Sequence, residues 1–246
     1  MNRLIIDIKD KSFTKDGAND AFCVIKNLHL ELNNNEFVCL VGPSGCGKST
    51  LLNTVAGLDT QFEGTINAGD QHGTLKTSYV FQTPRLLPWR TVLENIQLAA
   101  GDETIETSRI THVLERLGIE TSLNSYPQHL SLGMQRRVAL ARAFCIQSHT
   151  LLMDEPFVSL DQPTARKARR LLLELWAEHP RNVLFVTHDL NEAIELADRV
   201  IFLSDSPSSV IGDFNVDIAR DDRTPEQVSQ FINQLSANHQ NIQHLL

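Results

Sequence analysis

The chain has 246 residues, 41% hydrophobic and 21% charged, the balance of a folded domain with room for a substantial core. Its 22 Lys and Arg against 30 Asp and Glu give a net charge of −8, the opposite of the basic footprint that nucleic-acid binding needs. No run of 18 apolar residues is present to span a bilayer, and the opening MNRLIIDIKDKSF carries too short an apolar stretch for an export signal.

Residues 3–9 and 22–32 alternate apolar and polar, as in Phe22, Val24 and Leu28, Leu30, Leu32, which predicts half-buried strands. Asn35 suits the left-handed conformation of the tight turn that follows. Phe37-Val38-Cys39-Leu40-Val41 is continuously apolar up to Gly42, as a strand buried on both faces must be. Between 91 and 145 the period changes. Val92, Ile96 and Ala99, then Ile110, Val113, Leu114 and Leu117, recur at helical spacing. Val138, Ala141 and Cys145 do so again behind Ser131, a natural N-cap. Buried-strand runs return at Leu151-Leu152-Met153 and Val183-Leu184-Phe185-Val186. In the tail, Thr224, Pro225 and Gln227 predict a capping box at the head of a helix with Val228, Phe231, Ile232 and Leu235 on one face. Apolar strands separated by helical stretches predict an α/β fold with a parallel sheet. The expected division is a core over 1–84 and 151–220, a helical subdomain over about 85–150 and a helical tail over about 221–246.

The segment Gly42, Pro43, Ser44, Gly45, Cys46, Gly47, Lys48, Ser49, Thr50 matches G-x-x-x-x-G-K-[ST] between a buried strand and a helical stretch beginning Leu51-Leu52. Glycines let backbone N–H groups curl around phosphates, and the helix N-terminus faces them with its positive end. Lys48 is then expected on the β- and γ-phosphates and the Ser49 hydroxyl on Mg²⁺. Cys46 is either a thiol activated by nearby positive groups or a small side chain filling a gap. Four cysteines (Cys23, Cys39, Cys46, Cys145) form no Cys-x-x-Cys pair, and none of the nine histidines has zinc-site spacing, so reduced cytoplasmic thiols are expected.

Met153 is followed by Asp154, Glu155 and Pro156. In a parallel sheet the C-terminal strand ends gather at one edge, which would bring Asp154 beside the loop of 42–50 and into the Mg²⁺ shell. Glu155 is then the residue to orient or deprotonate a water attacking the γ-phosphate.

With these residues in place the sequence resembles the ATP-binding subunits of ABC transporters over nearly its whole length. The likeness rests on an ordered series: the loop 42–50, Gln82 in Val80-Phe81-Gln82, Leu130-Ser131-Leu132-Gly133-Met134, Asp154-Glu155, Ser159-Leu160-Asp161, and His188 in Val186-Thr187-His188-Asp189. The resemblance implies a P-loop NTPase, RecA-like parallel core with N-terminal antiparallel strands and an inserted helical subdomain. It implies that Gln82 touches Mg²⁺ or the lytic water, that His188 contacts the γ-phosphate and that Asp161 links two subunits. An upstream aromatic stacks on adenine, for which Phe13 fits best and Phe22 is the alternative. Ser131 and the Gly133 N–H are implied to reach the ATP of a second subunit in a head-to-tail dimer.

The usual Leu-Ser-Gly-Gly-Gln reads Leu-Ser-Leu-Gly-Met here. Leu132 puts a branched side chain where backbone and phosphate approach, so slow hydrolysis is expected. Tyr126-Pro127-Gln128-His129, the run Leu86 to Val92, and Gly133-Met134-Gln135 are similar to the nitrate/sulfonate/taurine importer branch. Trp89 is either a surface aromatic or part of a groove over 84–96 that holds a helix of the permease.

The implied partners are integral-membrane permease subunits, a second ATP-binding subunit with a homodimer expected, and an extracytoplasmic solute-binding protein. Nucleic acid is not among them. The implied cofactors are ATP and Mg²⁺, and the implied location is the cytoplasmic face of the membrane. The rival readings are the ATPase of a lipid-trafficking ABC system, a soluble ABC ATPase without a permease, and a non-hydrolysing scaffold.

Overall fold

The computed structural model describes residues 3–14, 21–68, 75–101, 103–158 and 160–245. In chain order the elements are β1 (Leu4–Thr14), β2 (Ala21–Leu32), β3 (Phe37–Val41), α1 (Lys48–Val55), β4 (Glu63–Ala68), β5 (Thr77–Val80), α2 (Val92–Leu98), α3 (Thr107–Arg116), α4 (Leu132–Cys145), β6 (Thr150–Asp154), α5 (Gln162–Glu178), β7 (Asn182–Thr187), α6 (Leu190–Leu196), β8 (Arg199–Leu203), β9 (Val210–Asn215) and α7 (Pro225–Asn238). They divide into two compact units, Met1–Leu75 with Arg181–Leu246, and Lys76–Pro180.

In the first unit β3 lies between β7 and β8, parallel to both, and all five of its residues are buried. That is why its sequence is an unbroken apolar run. β9 closes the edge antiparallel to β8. A separate antiparallel sheet has β1 in the middle, flanked by β2 and β4. It keeps the predicted alternation, with Leu4, Ile6, Ile8, Leu28, Leu30 and Leu32 inward. Asn35 adopts φ 55° in the turn before β3, as a residue that tolerates the left-handed region can. At the head of α7 the Thr224 hydroxyl accepts from Gln227 N–H at 3.4 Å. The Thr224 N–H donates instead to the Asp222 carbonyl at 2.8 Å, so the return bond from Gln227 that the predicted box needs is not made and the cap is one-sided.

The second unit holds the parallel pair β5–β6 and the helices α2 to α5. Among the described residues no strand interrupts the helical stretch 91–145. Thr91 and Glu94 make a complete capping box on α2. Ile110, Val113 and Leu114 of α3, with Val138, Ala141 and Cys145 of α4, are the buried faces that the 3.6-residue period marks. No described helix is long and apolar enough to cross a membrane.

Candidate functional site

Beyond Val41 the chain leaves β3 and curls, with Cys46 N–H donating to the Pro43 carbonyl at 3.3 Å. Gly45 and Gly47 take φ 82° and 106°, and a Cβ on Gly47 would lie 2.6 Å from Val24 Cγ1. Only glycine meets both conditions at 47. Lys48 is 6% exposed, and its ammonium donates to the carbonyls of Gly42 (2.8 Å) and Pro43 (2.9 Å). Two of its three donors thus hold it inside the curl and one remains for a ligand. Gly47 caps α1 with no side-chain acceptor, so no cap side chain competes with a ligand for the first N–H groups of that helix. A positive helix end beside a fixed ammonium fits a phosphate chain. Ser49 is exposed in the first turn of α1. No group of three His, Cys, Asp or Glu among the described residues could hold a metal by itself. The Ser49 hydroxyl is an oxygen donor of the kind that Mg²⁺ takes together with phosphates and water. Burial pushes the Cys46 thiol up against a weaker pull from Lys48, which supports the gap-filling reading over the activated one.

The same unit carries His188. Thr187 ends β7 opposite Val41, so loop 42–50 and His188 leave adjacent parallel strands at one edge. The turn is fixed on both sides of the exposed histidine. Buried Thr187 donates its hydroxyl to the buried Glu192 carboxylate at 2.5 Å and accepts from Asp189 N–H at 3.0 Å. Asp189 caps α6 by accepting from Asn191 N–H (2.9 Å) and Glu192 N–H (3.3 Å). At the far end of α6, Arg223 donates to the carbonyls of Ile194 and Glu195. Phe13 and Phe22, the two candidates for stacking on a base, face each other directly across β1 and β2, and both rings are exposed.

In the second unit Val80 pairs with Met153 at the ends of β5 and β6. Buried Asp154 therefore shares a strand edge with exposed Gln82. Glu155 sits at φ 42°, a costly conformation for a residue with a Cβ. Beyond Gln82, Arg85 lies over the Phe81 ring at 4.0 Å, and Arg142 of α4 donates to the carbonyls of Pro84 and Arg85. Buried Asn95 clamps the same loop, accepting from Leu87 N–H (2.7 Å) and donating to the Leu87, Arg90 and Thr91 carbonyls. Trp89 projects from it, exposed.

Ser131 caps α4, accepting from Met134 N–H at 3.3 Å. Gln135 pins the preceding turn through the carbonyls of Pro127 and Leu130. A Cβ on Gly133 would meet nothing closer than Ser131 Oγ at 3.9 Å, so packing within the chain does not demand glycine there. Leu132 is 55% exposed. Asp161 is exposed and caps α5; its bonds to Thr164 hold its carboxyl below the usual value. Ser159 lies outside the described residues.

Sequence reasoning missed Thr187, Glu192 and Asn95. For Asn95 a signal exists, a polar residue beside Val92 and Ile96 on an apolar helical face. Thr91-x-x-Glu94 is likewise a readable capping box. Nothing local marks Thr187 and Glu192.

Residues 25–158 match the model of the ABC transporter family. The chain is 38% identical to the aliphatic sulfonates import ATP-binding protein SsuB 2 of Burkholderia lata, over 80% of this chain and 73% of the relative. It is 36% identical to the nitrate import ATP-binding protein NrtD of a Synechocystis species, over 90% and 86%. Among solved structures it is similar to the ATP-binding cassette MJ0796, a dimer in a post-hydrolysis state bound to ADP and Pi. There the TM-score is 0.72 at 29% identity, covering 88% of this chain and all of that one.

Proposed function

As the chain belongs to the ABC transporter family and is an ATP hydrolase of that type, we propose that it energises import of a small anionic solute through separate membrane permease subunits. The observation that carries the ATPase chemistry is the parallel register of β3 and β7, from whose adjacent ends the phosphate loop and His188 emerge. The import direction and the solute class draw on the sulfonate and nitrate importers that the chain resembles.

In this reading the N–H groups of 42–50 and the Lys48 ammonium hold the phosphates, and Phe13 stacks on the base, with Phe22 as its alternative. Ser49, Gln82 and Asp154 hold Mg²⁺, which when bound neutralises charge on the phosphate oxygens. Glu155 takes the proton of the attacking water, and His188 contacts the γ-phosphate. Ser131 and the Gly133 N–H serve the nucleotide of a second, identical subunit, and Asp161 joins the two. Along the sequence the helical subdomain of about 85–150 is an insertion between the two parts of the core, 1–84 and 151–220, and the tail covers about 221–246. Trp89 and its neighbours in 84–96 receive the permease, which places the chain on the cytoplasmic face of the membrane with a solute-binding protein on the far side.

The test is a pull-down of tagged Glu155→Gln protein from native membranes with ATP present. A multi-span permease among the co-purifying proteins supports the reading. Recovery of soluble or ribosomal partners alone contradicts it.

A further inference from the structure

Lys11 is 1% exposed, among the largest fully buried side chains, and its ammonium lies 4.3 Å from the centroid of the Phe13 ring. Its other contacts are Asp59 Oδ1 and the Gln61 carbonyl, each at 2.7 Å. The Phe13 ring is 44% exposed. A buried cation cannot sit on the solvent side of such a ring, so it covers the inner face and leaves the outer face open. Asp59 and Gln61 follow shortly after α1, the helix that opens at the phosphate loop. One lysine thus joins the aromatic ring of β1 to the far end of the helix that receives the phosphates. Burial pushes the Asp59 carboxyl up, but the bonds from Lys11 and Gln61 N–H outweigh it and keep it below its ordinary value.

An aromatic ring presents a negative face, and a cation is attracted to it. With the cation fixed on one side, the opposite face is depleted of electron density. An electron-rich base stacking on that outer face gains from the depletion, and a two-ring purine overlaps the ring more fully than a one-ring pyrimidine. Among the described residues no cation lies over the ring of Phe22, which is opposite Phe13 in register.

We infer that Lys11 is a positioning and specificity residue for the nucleotide base, holding and polarising Phe13 so that its outer face favours purine over pyrimidine nucleotides. The inference rests on the reading of Phe13 as the base platform.

The experiment measures the affinities of unlabelled ATP and CTP by calorimetry for the full chain and for Phe13→Ala, Lys11→Met and Lys11→Arg. Lys11→Met is expected to weaken ATP about fivefold and CTP less than twofold, so the ATP-to-CTP preference falls. Lys11→Arg, which keeps a cation, retains the preference. A merely structural lysine would lower both affinities together, and an unchanged ratio in Lys11→Met overturns the inference. If Lys11→Met folds poorly because Asp59 is stranded, the double variant Lys11→Met/Asp59→Asn removes that charge and the same ratio is read. Phe13→Ala separates the two levels. ATP affinity unaltered in that variant defeats the platform reading and the inference with it. ATP affinity lost there, with the ratio intact in Lys11→Met, defeats the inference alone.

Discussion

The Thr187 hydroxyl donates to the Glu192 carboxylate at 2.5 Å, and both residues are buried one turn apart around the exposed His188. The bond closes the end of β7 onto the first turn of α6, so the histidine is presented by a turn with little freedom. A positioned group of this kind acts on the transition state more than on ground-state binding.

Thr187→Val removes both the donor and the acceptor while keeping the shape. Leaving buried Glu192 without this partner costs about 1–3 kcal/mol, with a smaller cost at the half-buried Asp189 N–H, part of it as misplacement of His188. ATP turnover is expected to fall about tenfold with little change in KM, and Thr187→Ser restores it. Loss of thermal stability with turnover per folded molecule intact would show that the bond serves the fold alone.

Gly45 and Gly47 separate conformation from contact. Both are left-handed, but a Cβ at 45 meets nothing within 4 Å whereas one at 47 strikes Val24. Gly45→Ala should cost about 1–2 kcal/mol of stability, the backbone penalty alone. Gly47→Ala should cost more and abolish ATP binding. Thermal melts with nucleotide titration check both, and equal costs at the two sites would contradict the contact with Val24.

Leu132 occupies the first helical position of α4, exposed where the related motif has glycine. Leu132→Gly is expected to raise steady-state ATP turnover several-fold at a cost of about 1 kcal/mol in helix propensity. Unchanged or lower turnover would show that the leucine does not impede the partner nucleotide.

The Lys11–Asp59 pair carries a pH signature. Asp59 is held below its ordinary value, so its contribution is complete above the unfolded carboxylate pKa of about 4 and is lost as pH falls through the lower folded value. Denaturation midpoints measured between pH 6 and pH 3 should fall less steeply in Asp59→Asn than in the parent chain. Parallel profiles would remove Asp59 from the acid response.

Much of the fold is legible in the residues. β3, β6 and β7 are buried on both faces and so appear as unbroken apolar runs, and Ser131 caps α4 as its position before an apolar stripe predicts. β4 escapes because its residues are largely exposed at a sheet edge, leaving no pattern stronger than a loop. β5 escapes because it has four residues, too few for a period. The phosphate loop is local chemistry, hence readable. Phe13 is readable as a candidate base platform, but the cation beside its ring is not, because Lys11 is held there by Asp59 and Gln61, far along the chain. Asn95 likewise matters for the carbonyls of another segment, which a one-dimensional pattern does not display.

We propose that Glu155 takes the proton of the water that attacks ATP. The direct measurement compares ATP binding, oligomeric state and single-turnover hydrolysis in the parent chain and Glu155→Gln. The side chain keeps its size and loses its basicity, so ATP should still bind, the protein should accumulate as an ATP-bound dimer, and the hydrolysis rate should fall about 10²–10⁴-fold. Hydrolysis at the parent rate in Glu155→Gln would contradict the assignment.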